Sequence, residues 1–289
     1  MSWAFLSLIA TICIAAVKLT NQYMQVNGLD LAVVNKAMLA VFSLPFVLIY
    51  GLPDTPLFYL FVFLTIPICL YMDAKVFDIA AKYGGGVLTR VEPLYVPLVF
   101  IVWLVLSPGL FVEYLQRPLL LFAIISSIAG CVVFSMKMKK CAVSHAALTE
   151  MLPILFMMAA VAILNKLAMD YSPLHRGVFA YIFLQSLMMS GAGYGWIVLK
   201  QKRTLRSLHM PILIKAAFLV AFATLIHLIA KNYAFSLVAD PTFPSIIMLT
   251  APFFVLLFYK LTGHKEKASI WPGLGIVVCA LLLTVATSL

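Results

Sequence analysis

An all-α integral membrane protein of ten transmembrane helices, in two inverted five-helix repeats, is the fold class this sequence predicts. Composition, the spacing of apolar runs and an echo between the two halves carry that expectation. Of 289 residues, 64% are hydrophobic and 10% charged, with a mean hydropathy of +1.10, far outside the balance of soluble domains. A span needs about 20 apolar residues, so ten would consume roughly 200 to 230 positions and leave only short connectors, with no room for a soluble catalytic domain.

Apolar runs with polar or Gly/Pro punctuation place spans at 2–20, 29–50, 56–80, 85–106 and 114–136, then at 145–169, 174–199, 210–236, 244–261 and 270–287. The first has no basic region ahead of it, and its first charge, Lys18, follows the apolar stretch, which predicts a retained span rather than a cleaved signal peptide. The second carries Lys36 within Leu31-Ala-Val-Val-Asn-Lys-Ala-Met-Leu-Ala, and the third runs down to Asp73, Lys75 and Asp78. The fourth holds Leu88-Thr-Arg-Val-Glu-Pro-Leu-Tyr-Val-Pro97, where Arg90 and Glu92 sit deep in an otherwise apolar run. A charge near the membrane centre costs at least ~2.5 to 3.5 kcal/mol on insertion scales, so two of them beside a helix-distorting proline point to use. The fifth span contains Gly130, the sixth Glu150 and Pro153, the seventh Gly191-x-Gly193-x-Gly195, the eighth His227, the ninth Ala251-Pro252, and the tenth Gly273 and Gly275.

Orientation follows from loop charge, because Lys and Arg in short loops stay cytoplasmic. Loops after odd-numbered spans hold Lys137, Lys139, Lys140, Lys200, Lys202, Arg203, Arg206, Lys260, Lys265 and Lys267, while those after even-numbered spans hold little beyond Arg117 and Arg176. Both termini are therefore expected on the extracytoplasmic side of an inner or plasma membrane. Topology also accounts for the net charge of +10 better than nucleic-acid binding, since no basic surface interleaved with aromatics exists. The five cysteines (Cys13, Cys69, Cys131, Cys141 and Cys279) are scattered without a Cys-x-x-Cys pair and read as small apolar packers.

The halves, 1–140 and 141–289, echo each other. Ile14 to Lys18 resembles Ala162 to Lys166 at the end of each half's first span, and Glu92-Pro93-Leu94-Tyr95-Val96 lies opposite Ala251-Pro252-Phe253-Phe254-Val255 in each half's fourth. An odd number of spans per half inverts the second, the arrangement of many transporters. With a lysine closing the first span and a proline in the fourth, the chain resembles the drug/metabolite transporter superfamily, EamA type. Lys36 after small apolar residues and Glu266 before Trp271-Pro-Gly-Leu-Gly-Ile support the likeness, whereas Trp3-Ala4 replaces the family's usual Trp-Gly. The resemblance implies a ten-helix secondary transporter; better-known members have cytoplasmic termini, opposite to the loop charge here.

Candidate substrate-binding residues are Arg90, Glu92, Lys36, Tyr95, Tyr71, Gln185, His227 and Tyr233, and candidate proton-coupling groups are Glu92, Glu150 and Asp73. In a regular helix Arg90 and Glu92 point roughly 200 degrees apart, so only a distortion at Pro93 or Pro97 brings both to one cavity. An ion pair that merely fixes helix packing competes with a functional role there. Glu150 could equally complement a helix N-terminus, His227 could be a packing histidine, and Asp73 could be solvated near the inner surface. Lys18, Lys36 and Lys166 are expected to snorkel to the interface, and Asn35, Asn165 and Gln185 to bind substrate or glue helices. Tyrosines in this set would suit an organic cation.

No Walker loop, metal-ligand motif or nucleophile elbow occurs, so no cofactor is expected and ATP-driven transport has no support. The expected activity is secondary transport, by alternating access, of a small polar solute, zwitterionic or anionic and amino-acid-like. The expected partners are that solute and the bilayer, with a homodimer left open. An intramembrane lipid-group transferase is the alternative, but Asp73 and Asp78 have the wrong spacing for a metal-bound diphosphate; a lipid-carrier flippase differs from the first reading only in cargo size.

Overall fold

The computed structural model describes residues 2–137, 145–203, 208, 210–262 and 270–287, excluding the side chains of Thr89, Arg90 and Ile270. Among the described residues the chain is helical with no strand, as hydrocarbon requires of a bundle whose backbone groups must be satisfied internally. Helix α1 spans Ser2–Met24, α2 Gly28–Tyr50, α3 Pro56–Tyr83, α4 Gly85–Val91, α5 Tyr95–Leu106, α6 Pro108–Gln116, α7 Pro118–Lys137, α8 His145–Asp170, α9 Leu174–Leu199, α10 Pro211–Ser236, α11 Thr242–Met248, α12 Ala251–Leu261 and α13 Ile270–Ala286.

Among the described residues, eight helical segments are long and apolar enough to cross a bilayer: α1, α2, α3, α7, α8, α9, α10 and α11–α12 taken together. A ninth is reached if α5 and α6, bent by 104° at Ser107, count as one span. The chain is thus a multi-pass membrane protein. The expected fourth segment is helical over Gly85–Leu106 but interrupted, and the tenth, α13, is short at 17 residues.

The ends of these helices follow from local chemistry. Asn27 accepts from the Asp30 amide at 3.1 Å and starts α2, with Asp30 in its first turn where a carboxylate suits the helix dipole. Proline occupies the first turn of α3, α6, α10 and α12, where its missing N–H costs nothing. Gly84, at φ +89°, closes α3 in a backbone conformation that only glycine adopts readily, and turns the chain into α4. A Cβ at Gly85 would lie 2.9 Å from the Lys18 carbonyl oxygen, so glycine lets α4 begin directly against α1, and Gln22 accepts from the Gly85 amide at 2.9 Å.

The fourth segment breaks because Pro93 offers no N–H to the Thr89 carbonyl and Pro97 none to Pro93; a tight turn at Glu92–Leu94 separates α4 from α5. Pro252 does the same between α11 and α12, where Leu249 and Thr250 leave the regular helix.

Packing joins the two halves of the chain. Helix α1 lies on α10, α3 on α8, α2 on α9 and α7 on α13. One buried cluster, including Ala15, Val96, Ile124, Val255 and Ile276, unites α1, α5, α7, α12 and α13. A second, including Leu39, Phe58, Ile163, Tyr181 and Phe235, unites α2, α3, α8, α9 and α10. Close approach of α9 to α2 requires Gly193, where a Cβ would lie 2.2 Å from a Val33 methyl.

The turn from α10 to α11 is tied by Asp240, fully buried, which accepts from the Tyr114 hydroxyl and the Thr242 amide, both at 2.8 Å. It lies outside the helices that cross, and burial pushes its carboxyl above the usual range while those two donors pull it back. A folded-state value above the unfolded value of about 3.9 means that the folded chain holds this proton more tightly, so its contribution is complete below that pH and fades as pH rises through the folded value. Asp240→Asn is therefore expected to gain stability relative to wild type as pH rises from about 4 to 7. Melting temperatures of the detergent-purified protein across that range check it; a constant difference would contradict it.

Candidate functional site

The two broken segments meet a central cavity of about 190 Å³. An apolar cavity of ~150 Å³ is enough to admit benzene, so a small metabolite fits. Its wall is drawn from both halves of the chain: Lys18 of α1, Asn35 and Lys36 of α2, Asp73 of α3, Glu92 and Tyr95 at the first break, Gln185 of α9, His227 and Lys231 of α10, and Met248 and Leu249 at the second break.

Local structure explains how charges reach this depth. With Gly85 seated on the Lys18 backbone, α4 carries Glu92 about 10 Å further along, two turns on, within reach of the Lys18 ammonium, which pairs with its Oε2. Both groups are buried, at 5% and 6% exposure. Lys36 pairs across to Asp73 of α3 at 3.0 Å. The expectation that Lys18, Lys36 and Lys166 snorkel to the interface is corrected: all three are buried, and Lys166 pairs with Asp170 one turn on. A carboxylate within reach costs less than threading an ammonium past packed helices. Lys18 thus finds its partner on another helical segment and Lys166 on its own helix.

The third lysine differs. Lys231 lines the cavity with no carboxylate partner among the described residues and with its ammonium 5.5 Å from the Phe235 ring centroid. The described charges of the wall are then three ammoniums against the carboxylates of Asp73 and Glu92. Acceptors are unsatisfied as well: Oε1 of Glu92 and Oδ1 of Asn35 are buried without a hydrogen-bond partner, a costly state for any polar atom. His227 Nδ1 lies 2.8 Å from the Ala10 carbonyl oxygen. A carbonyl only accepts, so Nδ1 carries the hydrogen and Nε2 is the ring's remaining nitrogen. Gln185 places its amide nitrogen near Thr65 Oγ1 at 2.9 Å and the Tyr181 hydroxyl at 3.0 Å, bracing the wall.

Of the residues singled out from sequence, the cavity brings together Glu92, Lys36, Tyr95, Gln185, His227 and Asp73. Tyr71 lies elsewhere, 49% exposed beside Lys75. Tyr233 meets His175 Nδ1 at 2.6 Å, next to the stacked rings of Tyr50 and Phe179. Glu150 is exposed and accepts from Lys82 at 2.7 Å and Tyr83 at 3.0 Å. The Arg90 side chain, Cys141, Glu266 and the loop cations Lys139, Lys140, Arg206, Lys265 and Lys267 lie outside the described residues. Lys18 and Lys231 line the cavity as well; Lys231 follows His227 by one turn, which puts both on one helix face, whereas Lys18 was expected at the interface.

Two further ion pairs bracket the α2–α9 contact. Arg203, just beyond α9, grips Asp30 at the start of α2 through both carboxylate oxygens, at 2.9 and 2.6 Å. At the opposite ends of the same helices, Arg176 reaches Asp54 at 3.4 Å in an exposed position. The chain matches no protein-family model and no curated protein sequence.

Proposed function

We propose that this chain is a secondary transporter of the drug/metabolite type, moving a small polar metabolite, zwitterionic or anionic and amino-acid-like, by alternating access. The observation that carries the reading is the charged cavity set where two broken helical segments meet. Broken helices at membrane depth expose backbone groups and helix ends to a solute, and buried ionisable groups there are costly unless used.

A ten-span, inverted-repeat architecture fits the packing. Exchanging the halves carries α1 into α8, α2 into α9 and α3 into α10. The α1–α10 contact then becomes the α8–α3 contact, while α2–α9 and α7–α13 become themselves. The same exchange carries the Asp30–Arg203 pair onto Arg176–Asp54 with the charges reversed. Rocking one half against the other would open one of these ties while the other holds. In this reading both termini are extracytoplasmic, the proton-coupling group is Glu92 or Asp73, and Glu150 serves as a surface ion pair.

Counterflow of labelled metabolites in proteoliposomes tests it. Glu92→Gln and Lys36→Met are expected to lower flux tenfold or more, and Glu150→Gln to leave it within about twofold, as for a screened surface pair. Equal flux in protein-free vesicles, for every solute in a broad panel, would sink the proposal.

A further inference from the structure

The cavity's unmet bonding capacity is of two opposite kinds, held in one small volume. Lys18 and Lys36 each have a carboxylate, Glu92 and Asp73; Lys231 has none among the described residues. Against this surplus ammonium stand unpartnered oxygens of Glu92 and Asn35, residues 6% and 1% exposed, and His227 lines the same cavity with one ring nitrogen left over. A ligand carrying only an anionic group would satisfy Lys231 and leave the oxygens bare. One carrying only an ammonium would satisfy the oxygens and add a fourth cation to a wall already rich in them.

We propose that Lys231 is the carboxylate anchor of the transport site, and that Glu92 Oε1 and Asn35 Oδ1, with His227, receive the ammonium of the same ligand, which therefore binds as an α-amino-acid zwitterion. The assignment rests on the transporter reading and adds to it the polarity of the site: the anionic end of the solute lies at Lys231, the cationic end toward α2, the first helix break and His227 one turn earlier on α10. An ammonium has three N–H donors, as many as the acceptors offered. A charged hydrogen bond at each end makes recognition fail steeply when either end is blocked.

The test uses the intact detergent-purified protein and thermal-shift titrations with the twenty standard L-amino acids. At least one is expected to raise the melting temperature, while its N-acetyl derivative and its methyl ester, at the same concentration, do not. Lys231→Met, which matches the four-atom stem of lysine and removes the ammonium, is expected to weaken that ligand at least tenfold with an unchanged elution profile. Should Lys231→Met misfold, the blocked analogues on wild type decide alone. Stabilisation by the N-acetyl derivative or the ester equal to that of the free amino acid overturns the assignment, as does full affinity in Lys231→Met. If no amino acid binds yet counterflow finds another solute, the assignment fails and the transporter reading stands. If counterflow finds none, the transporter reading fails as well.

Discussion

Replacing Lys18 with methionine is expected to destabilise the fold by about 3–5 kcal/mol, because it leaves the Glu92 carboxylate buried with neither oxygen partnered. The cost arises from the stranded charge, not from loss of attraction. Both partners are almost fully enclosed, and the cavity they line offers the stranded carboxylate far less solvation than bulk water. Neutralising both is far milder: the double variant Lys18→Met with Glu92→Gln is expected to recover most of the loss, since Gln keeps the shape of Glu and carries no charge. A double-mutant cycle on reversible unfolding in mixed micelles measures this, with a coupling of 0.5–3 kcal/mol or more expected for residues in direct contact. Additive effects of the two substitutions would show that the pair does not hold the helices together.

The second large effect is conformational. Asp30→Asn replaces a two-pronged guanidinium–carboxylate pair between α2 and the end of α9 with at most a bond from the guanidinium to an uncharged amide oxygen. Asp30 is buried at 6% exposure, but the Arg203 side chain is 35% exposed, so screening reduces the loss to about 1–2 kcal/mol. That shifts a two-state equilibrium by a factor of about 5–30. The opposite tie, Arg176–Asp54, is longer and its Asp54 side chain is 94% exposed, so its removal is expected to matter less. The structure is thus held more firmly at the Asp30–Arg203 face, and Asp30→Asn is expected to populate the state open there. Faster labelling of a cysteine placed at Val76, in the cavity wall, by a maleimide offered from that face checks it; an unchanged rate would contradict it.

Much of the helix layout was legible in the apolar runs. The ends of α9 coincide with the expected 174–199, and α2, α3, α8 and α10 differ by no more than a few residues, because in a membrane the solvent sets element length. The break in the fourth segment was legible too, since Pro93 acts locally. What sequence could not supply was pairing. Glu92 stands out by depth alone, but its partner Lys18 is 74 positions away and looked like an ordinary interfacial lysine. Which helix face turns inward is set by packing against neighbours, so Tyr71, on the same helix as Asp73, points away from the cavity that Asp73 lines. Near a span end a lysine such as Lys18 defaults to snorkelling, and only the closure of helices around it removes that option.

Alternating access is the central claim, and spin-label distances across the two faces test it most directly. One label pair, at Gln25 and Gln201, brackets the Asp30–Arg203 tie; the other, at Leu52 and Leu174, brackets Asp54–Arg176. Introducing Asp30→Asn is expected to lengthen the first distance and shorten the second, as one half rocks against the other around the charged cavity. If the two distances lengthen together, or if both stay fixed in protein that catalyses counterflow, the halves do not rock and the account is wrong.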